Sequence, residues 1–188
     1  MIYFSRNGNH GKVYKMMKIF VASSSELKDE REGLSGPVLQ LNRWLADRGE
    51  EERVALAKWE YLDSSMGVDH KQEEYNRALR DCDAVLGLCW RKFGQYTERE
   101  VTVAREEIRE RRRVRRLEVW FREAGDEKAS AELVSFQGRL AREWRVRERR
   151  FASMDELRAL FTEMALELLE DEGIPMPDEA EREKYGLA

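Results

Sequence analysis

Cysteine, histidine and proline are scarce in this chain of 188 residues, with two, two and three of each. Cys82 and Cys89 form no C-x-x-C pair, and two histidines add no ligand set at diagnostic spacing. A zinc-finger framework and a secretory disulfide pattern are therefore excluded. No apolar run approaches the ~20 residues of a membrane span, and the N-terminus has no apolar segment of signal-peptide length. A cytoplasmic protein without metal or membrane contact is the expectation. Neither sign of charge prevails, with 34 basic against 38 acidic residues and a net charge of −4. No global field draws the chain to nucleic acid. Disorder is not expected either, because 41% of the residues are hydrophobic.

What is present is one domain's length of patterned α/β sequence. Residues 1–15 carry no sustained period and read as a flexible extension. From Met17 to Ser23 a short apolar run rich in Ile and Val predicts a buried strand. Leu27, Leu34, Val38, Leu41 and Leu45 then share one helical face, with a kink expected at Gly36-Pro37 and an end at Gly49. Val54–Tyr61 reads as a second strand, residues 62–70 as a polar loop, and Tyr75, Ala78, Leu79 and Cys82 as the face of a second helix. Ala84–Trp90, apolar on both parities, is expected at the centre of the sheet. Further strands are expected at 117–121 and 146–151. Helices are expected after Thr97, around Leu133–Leu140 and from Ser153 to about residue 170, followed by a polar tail or linker at 171–188.

Alternating strands and helices of this kind require a parallel, doubly wound sheet with helices on both faces. Such sheets bind ligands beyond the carboxyl ends of their strands. Ser23, Ser24 and Ser25 stand there at a helix start, where hydroxyls and free N–H groups suit a phosphate or ribose as well as ordinary capping. The loop after the central strand brings Trp90, Arg91, Phe93 and Tyr96, and Thr97 with Glu100 matches a capping box. A carboxylate in a first helical turn is favoured in its ionised form. Glu100 there suits either a cap on Thr97 or the stabilisation of an oxocarbenium-like ribose. Glu98 is expected to point away, Cys89 to be core, and the run Arg109–Arg116 to be a solvated helix end.

Lys18-Ile-Phe-Val-Ala-Ser-Ser-Ser-Glu-Leu-Lys-Asp-Glu-Arg31 resembles the opening box of bacterial TIR-like (Toll/interleukin-1 receptor) domains. Tyr75–Leu86 followed by Arg91–Val101 resembles the centre of the same family, and Val119–Ala124 with Phe151–Leu157 its ending. The resemblance covers roughly Met17 to Glu170, and it implies a TIR-like domain at 16–170 with a flavodoxin-like sheet of about five parallel strands. It also implies an NAD⁺ hydrolase of antiphage defence or signalling, cleaving the nicotinamide–ribose bond with Glu100. NAD⁺ is then the substrate and no cofactor is required. Ser23, Ser24, Ser25, Trp90, Arg91, Tyr96 and Thr97 would line the nucleotide pocket. A self-association loop of Ser64, Ser65, Met66, Gly67, Val68 and Asp69 would build a homo-oligomer, with a fused or separate sensor module as a further partner. Two other functions fit the same fold: a non-catalytic interaction module, and a nucleoside deoxyribosyltransferase-like enzyme that also uses a glutamate.

Overall fold

The computed structural model describes residues 14–58, 68–91, 95–123, 129–144 and 146–187, without the side chains of 68–72, 95, 96 and 143. Five strands form one all-parallel sheet in the order β2-β1-β3-β4-β5. They are β1 (Lys15–Ser23), β2 (Glu52–Ala57), β3 (Ala84–Cys89), β4 (Arg116–Arg122) and β5 (Arg147–Phe151). That order is the flavodoxin-like one. Every residue of β3 is buried, as its unbroken apolar sequence requires for a central strand. β5, Arg-Glu-Arg-Arg-Phe, lies at the edge, where charged side chains discourage pairing with another chain.

The chain divides into two compact units. The first holds the described residues up to Met17, Gly33–Ala55 and residues 154–187. In it α2 (Ser35–Asp47) packs on α6 (Met154–Asp171) and α7 (Glu179–Tyr185). Leu41, Trp44, Leu45, Phe161, Met164 and Leu168 are fully buried here. Gly49, at φ +78°, ends α2 in the left-handed conformation that glycine adopts without a Cβ penalty. Asn42 of α2 pairs with both backbone groups of Val54, donating Nδ2–H to the carbonyl and accepting the amide at 2.8 Å each. The outer edge of β2 is thereby closed with a side chain in place of another strand.

The segment expected as a polar tail is folded. Asp178 and Glu181 close a capping box at the start of α7, and Tyr185 donates to Asp47 Oδ2 at 2.8 Å. Tyr185, Leu187 and Ile174 are buried. A few apolar side chains in an acidic stretch suffice because α7 finds α2 to pack on, which composition alone does not reveal.

The second unit comprises Lys18–Glu32 and Leu56–Ser153. A 3₁₀ turn (Ser25–Leu27) and α1 (Lys28–Gly33) follow β1, and α1 and α2 are separate helices broken at Leu34. Next come α3 (Val68–Arg80), α4 (Gln95–Arg109) and α5 (Ala131–Arg139), the last continuing as a π-helical turn (Leu140–Trp144). Leu79, Cys82, Val101, Ala104, Phe136 and Leu140 cover β3 and β4. Both cysteines are buried in this unit. Burial pushes the Cys82 thiol up to about 12 and the Cys89 thiol well above its ordinary range. They are packing residues, inert as nucleophiles.

The basic run is not simply a solvated helix end. Arg111, at φ +52°, terminates α4, with its amide on the Ile108 carbonyl and the Arg112 amide on that of Glu107. This is a Schellman closure with arginine in the position glycine usually takes. Val114 is then buried, and Arg113 pairs with Asp83 at 3.3 Å.

Candidate functional site

The carboxyl ends of β1, β3 and β4 meet at a cluster of charged side chains within the second unit. Parallel pairing sets Ser23 beside Leu88 and Cys89 beside Phe121, so Ser23–Glu26, Trp90–Arg91 and Arg122 emerge at one end of the sheet. α4 is brought close over this end by Gly87. A Cβ there would lie 3.2 Å from Val101 Cγ2 and 3.4 Å from Val119 Cγ2, so any larger residue would push these side chains aside by a few tenths of an ångström. Glu100, next to Val101, is thus held at the sheet.

Glu100 is 6% exposed. Burial pushes its carboxyl up to about 8, against the opposing pull of the Arg31 guanidinium. This reverses the expectation from sequence. α4 begins at Gln95, so Thr97 is its third residue and Glu100 its sixth. Thr97 is therefore no N-cap, and the capping box does not form. Glu100 lies beyond the first turn, where the helix dipole acts most strongly. Desolvation wins, and the neutral acid is the favoured form at pH 7. Glu98 faces away, as expected, and pairs with Arg139.

Arg31, fully buried, donates from Nη1 to Ser23 Oγ and to the Ser24 carbonyl, the latter at 3.2 Å. Ser24 occupies the N-cap position of the 3₁₀ turn but its side chain caps nothing. Its Oγ is buried and has no hydrogen-bond partner among the described residues. Ser25 is exposed. Glu30 pairs with Arg122, and Glu26 with Arg91 at 3.7 Å. Two guanidiniums lie over the Trp90 ring, Arg91 at 3.8 Å and Arg122 at 4.3 Å from its centroid. Its Nε1 is buried and likewise has no hydrogen-bond partner among the described residues. The cluster therefore offers a neutral buried acid, a buried cation, two orphaned polar atoms and an aromatic plane. Among the described residues no group of three His, Cys, Asp or Glu side chains is gathered as a metal site.

Of the residues expected from sequence, Glu100, Thr97, Ser23 and Ser24 come to this end of the sheet together with Trp90 and Arg91. The side chain of Tyr96 lies outside the described residues, as do Ser64, Ser65, Met66 and Gly67. Val68 and Asp69, expected in the self-association loop, open α3 instead. Arg122 ends the fourth strand, one of the positions that the parallel sheet directs to this end, whereas Arg31 and Glu30 were not expected here. The signal for Arg31 is legible: it stands at i+4 from Leu27 and three before Leu34, inside the apolar stripe, where a charge must be paired or functional.

No family model matches the chain, and no curated protein sequence matches it. Among solved structures, a conserved protein from Enterococcus faecalis V583 is similar over 80% of this chain and 99% of its own, at 13% identity and a TM-score of 0.44. No residue's role follows from that likeness. Among the described residues, no helix is long and apolar enough to cross a membrane.

Proposed function

We propose that the chain is a TIR-type enzyme that cleaves the nicotinamide–ribose bond of NAD⁺, with Glu100 facing the ribose as it becomes cationic. The observation that carries this reading is the condition of the Glu100 carboxyl, buried at the carboxyl end of a parallel sheet and in no ion pair among the described residues. A pyridinium substrate brings the positive charge that such an acid lacks, and a nearby cation draws a carboxyl toward its ionised form. As the C1′–N bond breaks, its electron pair stays on the nicotinamide nitrogen and the positive charge passes to the ribose. A carboxylate in a dry site stabilises that charge strongly. Nicotinamide leaves as a neutral molecule and needs no proton; water adds at C1′ and releases one. Ser24 Oγ and Trp90 Nε1, without hydrogen-bond partners among the described residues, are the polar atoms left for the nucleotide.

In this reading the protein is cytoplasmic, active on self-association, and serves bacterial defence or signalling. Nicotinamide release from NAD⁺ by concentrated protein tests it. Release by the wild type and a loss of about 10²-fold or more in Glu100→Gln are expected. Equal release by both proteins removes the role of Glu100. Assembly without any release identifies an interaction module, and base exchange on deoxynucleosides with NAD⁺ untouched identifies a deoxyribosyltransferase-like enzyme.

A further inference from the structure

The buried cation beside Glu100 is anchored to groups other than that acid. Arg31 of α1 is fully buried, and a guanidinium taken out of water has to be hydrogen-bonded or paired. The 3₁₀ turn after β1 brings Arg31 back to the end of that strand, where it meets Ser23 and Ser24. Both contacts come from one nitrogen. Nη1 donates to Ser23 Oγ and, at 3.2 Å, to the Ser24 carbonyl, which also accepts the Leu27 amide at 3.2 Å. The two hydrogens of Nη1 are thereby used, and two acceptors set the direction of a planar group.

Glu100 feels the charge of Arg31 and forms no ion pair with it. Opposite charges in a dry interior attract strongly, so their separation needs something to hold it. Other charged groups around the site are engaged elsewhere. On the α1 side Glu26 pairs with Arg91 and Glu30 with Arg122. On α4 itself Glu98 pairs with Arg139 of α5, and Glu107 with Arg112 and with Arg80 of α3. From β3 the Cys89 thiol stays neutral.

We infer that Ser23 is a positioning residue for Glu100: its hydroxyl, with the Ser24 carbonyl, holds the Arg31 guanidinium off the carboxyl and keeps that acid unpaired for a cationic substrate. The inference rests on the NAD⁺ reading and deepens it. A carboxylate already paired with its own arginine adds little at a ribose that turns cationic, whereas an unpaired one answers to the charge that the substrate brings.

Carbon-13 titration of the Glu100 carboxyl in the full chain, assigned with Glu100→Gln, tests this without any substrate. In Ser23→Ala, Nη1 loses an acceptor and turns to Glu100. The midpoint is then expected to fall from about 8 by about one pH unit or more. Ser23 is half-buried, so the loss of its hydroxyl spares the fold. Ser23→Thr and Ser23→Val, alike in shape, provide a second comparison: the midpoint is expected to stay with threonine and to fall with valine. In the wild type and these variants, the pH profile of kcat/KM for nicotinamide release is expected to move with the midpoint. An unchanged midpoint in both Ser23→Ala and Ser23→Val would overturn the inference, and so would an equal fall in Ser23→Thr and Ser23→Val. A chain that releases no nicotinamide removes the NAD⁺ reading, and the titration still decides whether Ser23 keeps Arg31 from Glu100.

Discussion

Glu100 and Glu107 stand seven residues apart on one face of α4, two turns of the same helix, and both are buried. At the amino end of the sheet Glu107, 2% exposed, receives Arg112 at 2.8 Å and Arg80 at 3.3 Å. At the carboxyl end Glu100 has no such pair among the described residues, and burial drives its carboxyl up to about 8. Equal burial with unequal pairing separates a carboxylate that holds elements together from one kept available. Glu107 ties α3 and the end of α4. Glu100 sits where its nearest cation, Arg31, is already engaged by Ser23 and the Ser24 carbonyl. A fold that needed only a satisfied helix face would gain by replacing Glu100 with a neutral side chain.

The sharpest way to separate the two residues is by activity. Glu100→Gln is expected to lower nicotinamide release by about 10²-fold or more, while Glu107→Gln stays within a few-fold. In the wild type, kcat/KM is expected to rise with pH toward about 8, as the free enzyme's Glu100 ionises.

Stability against pH separates them next. The folded-state pKa of Glu100 lies above the ordinary 4.5, so the folded chain holds a proton that the unfolded chain releases between about 4.5 and 8. The stability that this proton confers is fully present below about 4.5 and is lost as pH rises through about 8. Relative to Glu100→Gln, the wild type should therefore lose up to about 1.4 kcal/mol per pH unit across that window. Parallel urea titrations of the two proteins measure the difference, and a constant gap contradicts it. Glu107→Ala should cost about 1–3 kcal/mol, since a buried set of charge-assisted hydrogen bonds is lost. A cost near zero in the same titrations would make the two glutamates alike. The smallest effect is expected at the end of the helix that carries both. Arg111→Gly relieves a left-handed non-glycine residue and should raise stability by about 0.5–1 kcal/mol without altering nicotinamide release.

Much of this was legible in the sequence, and the failures have physical causes. The unbroken apolar run of β3 identified the central strand, and Arg-rich β5 an edge. The strand–helix alternation gave the parallel sheet, and with it the end at which Glu100, Arg31 and Trp90 gather. Thr97-x-x-Glu100 misled because Thr and Glu three apart serve equally as a capping box and as neighbours on one helical face. α4 starts three residues earlier than a Thr97 cap requires, and both side chains are buried within the helix. Arg31 escaped notice because an apolar stripe is read from its apolar members, and the charged residue within it passes as noise. α7 was missed for the opposite reason: Tyr185 is its one buried side chain, and the Asp47 carboxylate that receives it lies more than a hundred residues away in sequence. Asp178-x-x-Glu181 nonetheless spells a capping box.

The central claim is that α4 holds one buried carboxyl unpaired and protonated at neutral pH. Titration of the glutamate side-chain carboxyls by carbon-13 NMR, with Glu100→Gln to assign the resonance, tests it most directly. A midpoint near 8 for Glu100 is the predicted result. A midpoint near the ordinary 4.5 would show an ionised, satisfied side chain and contradict the account.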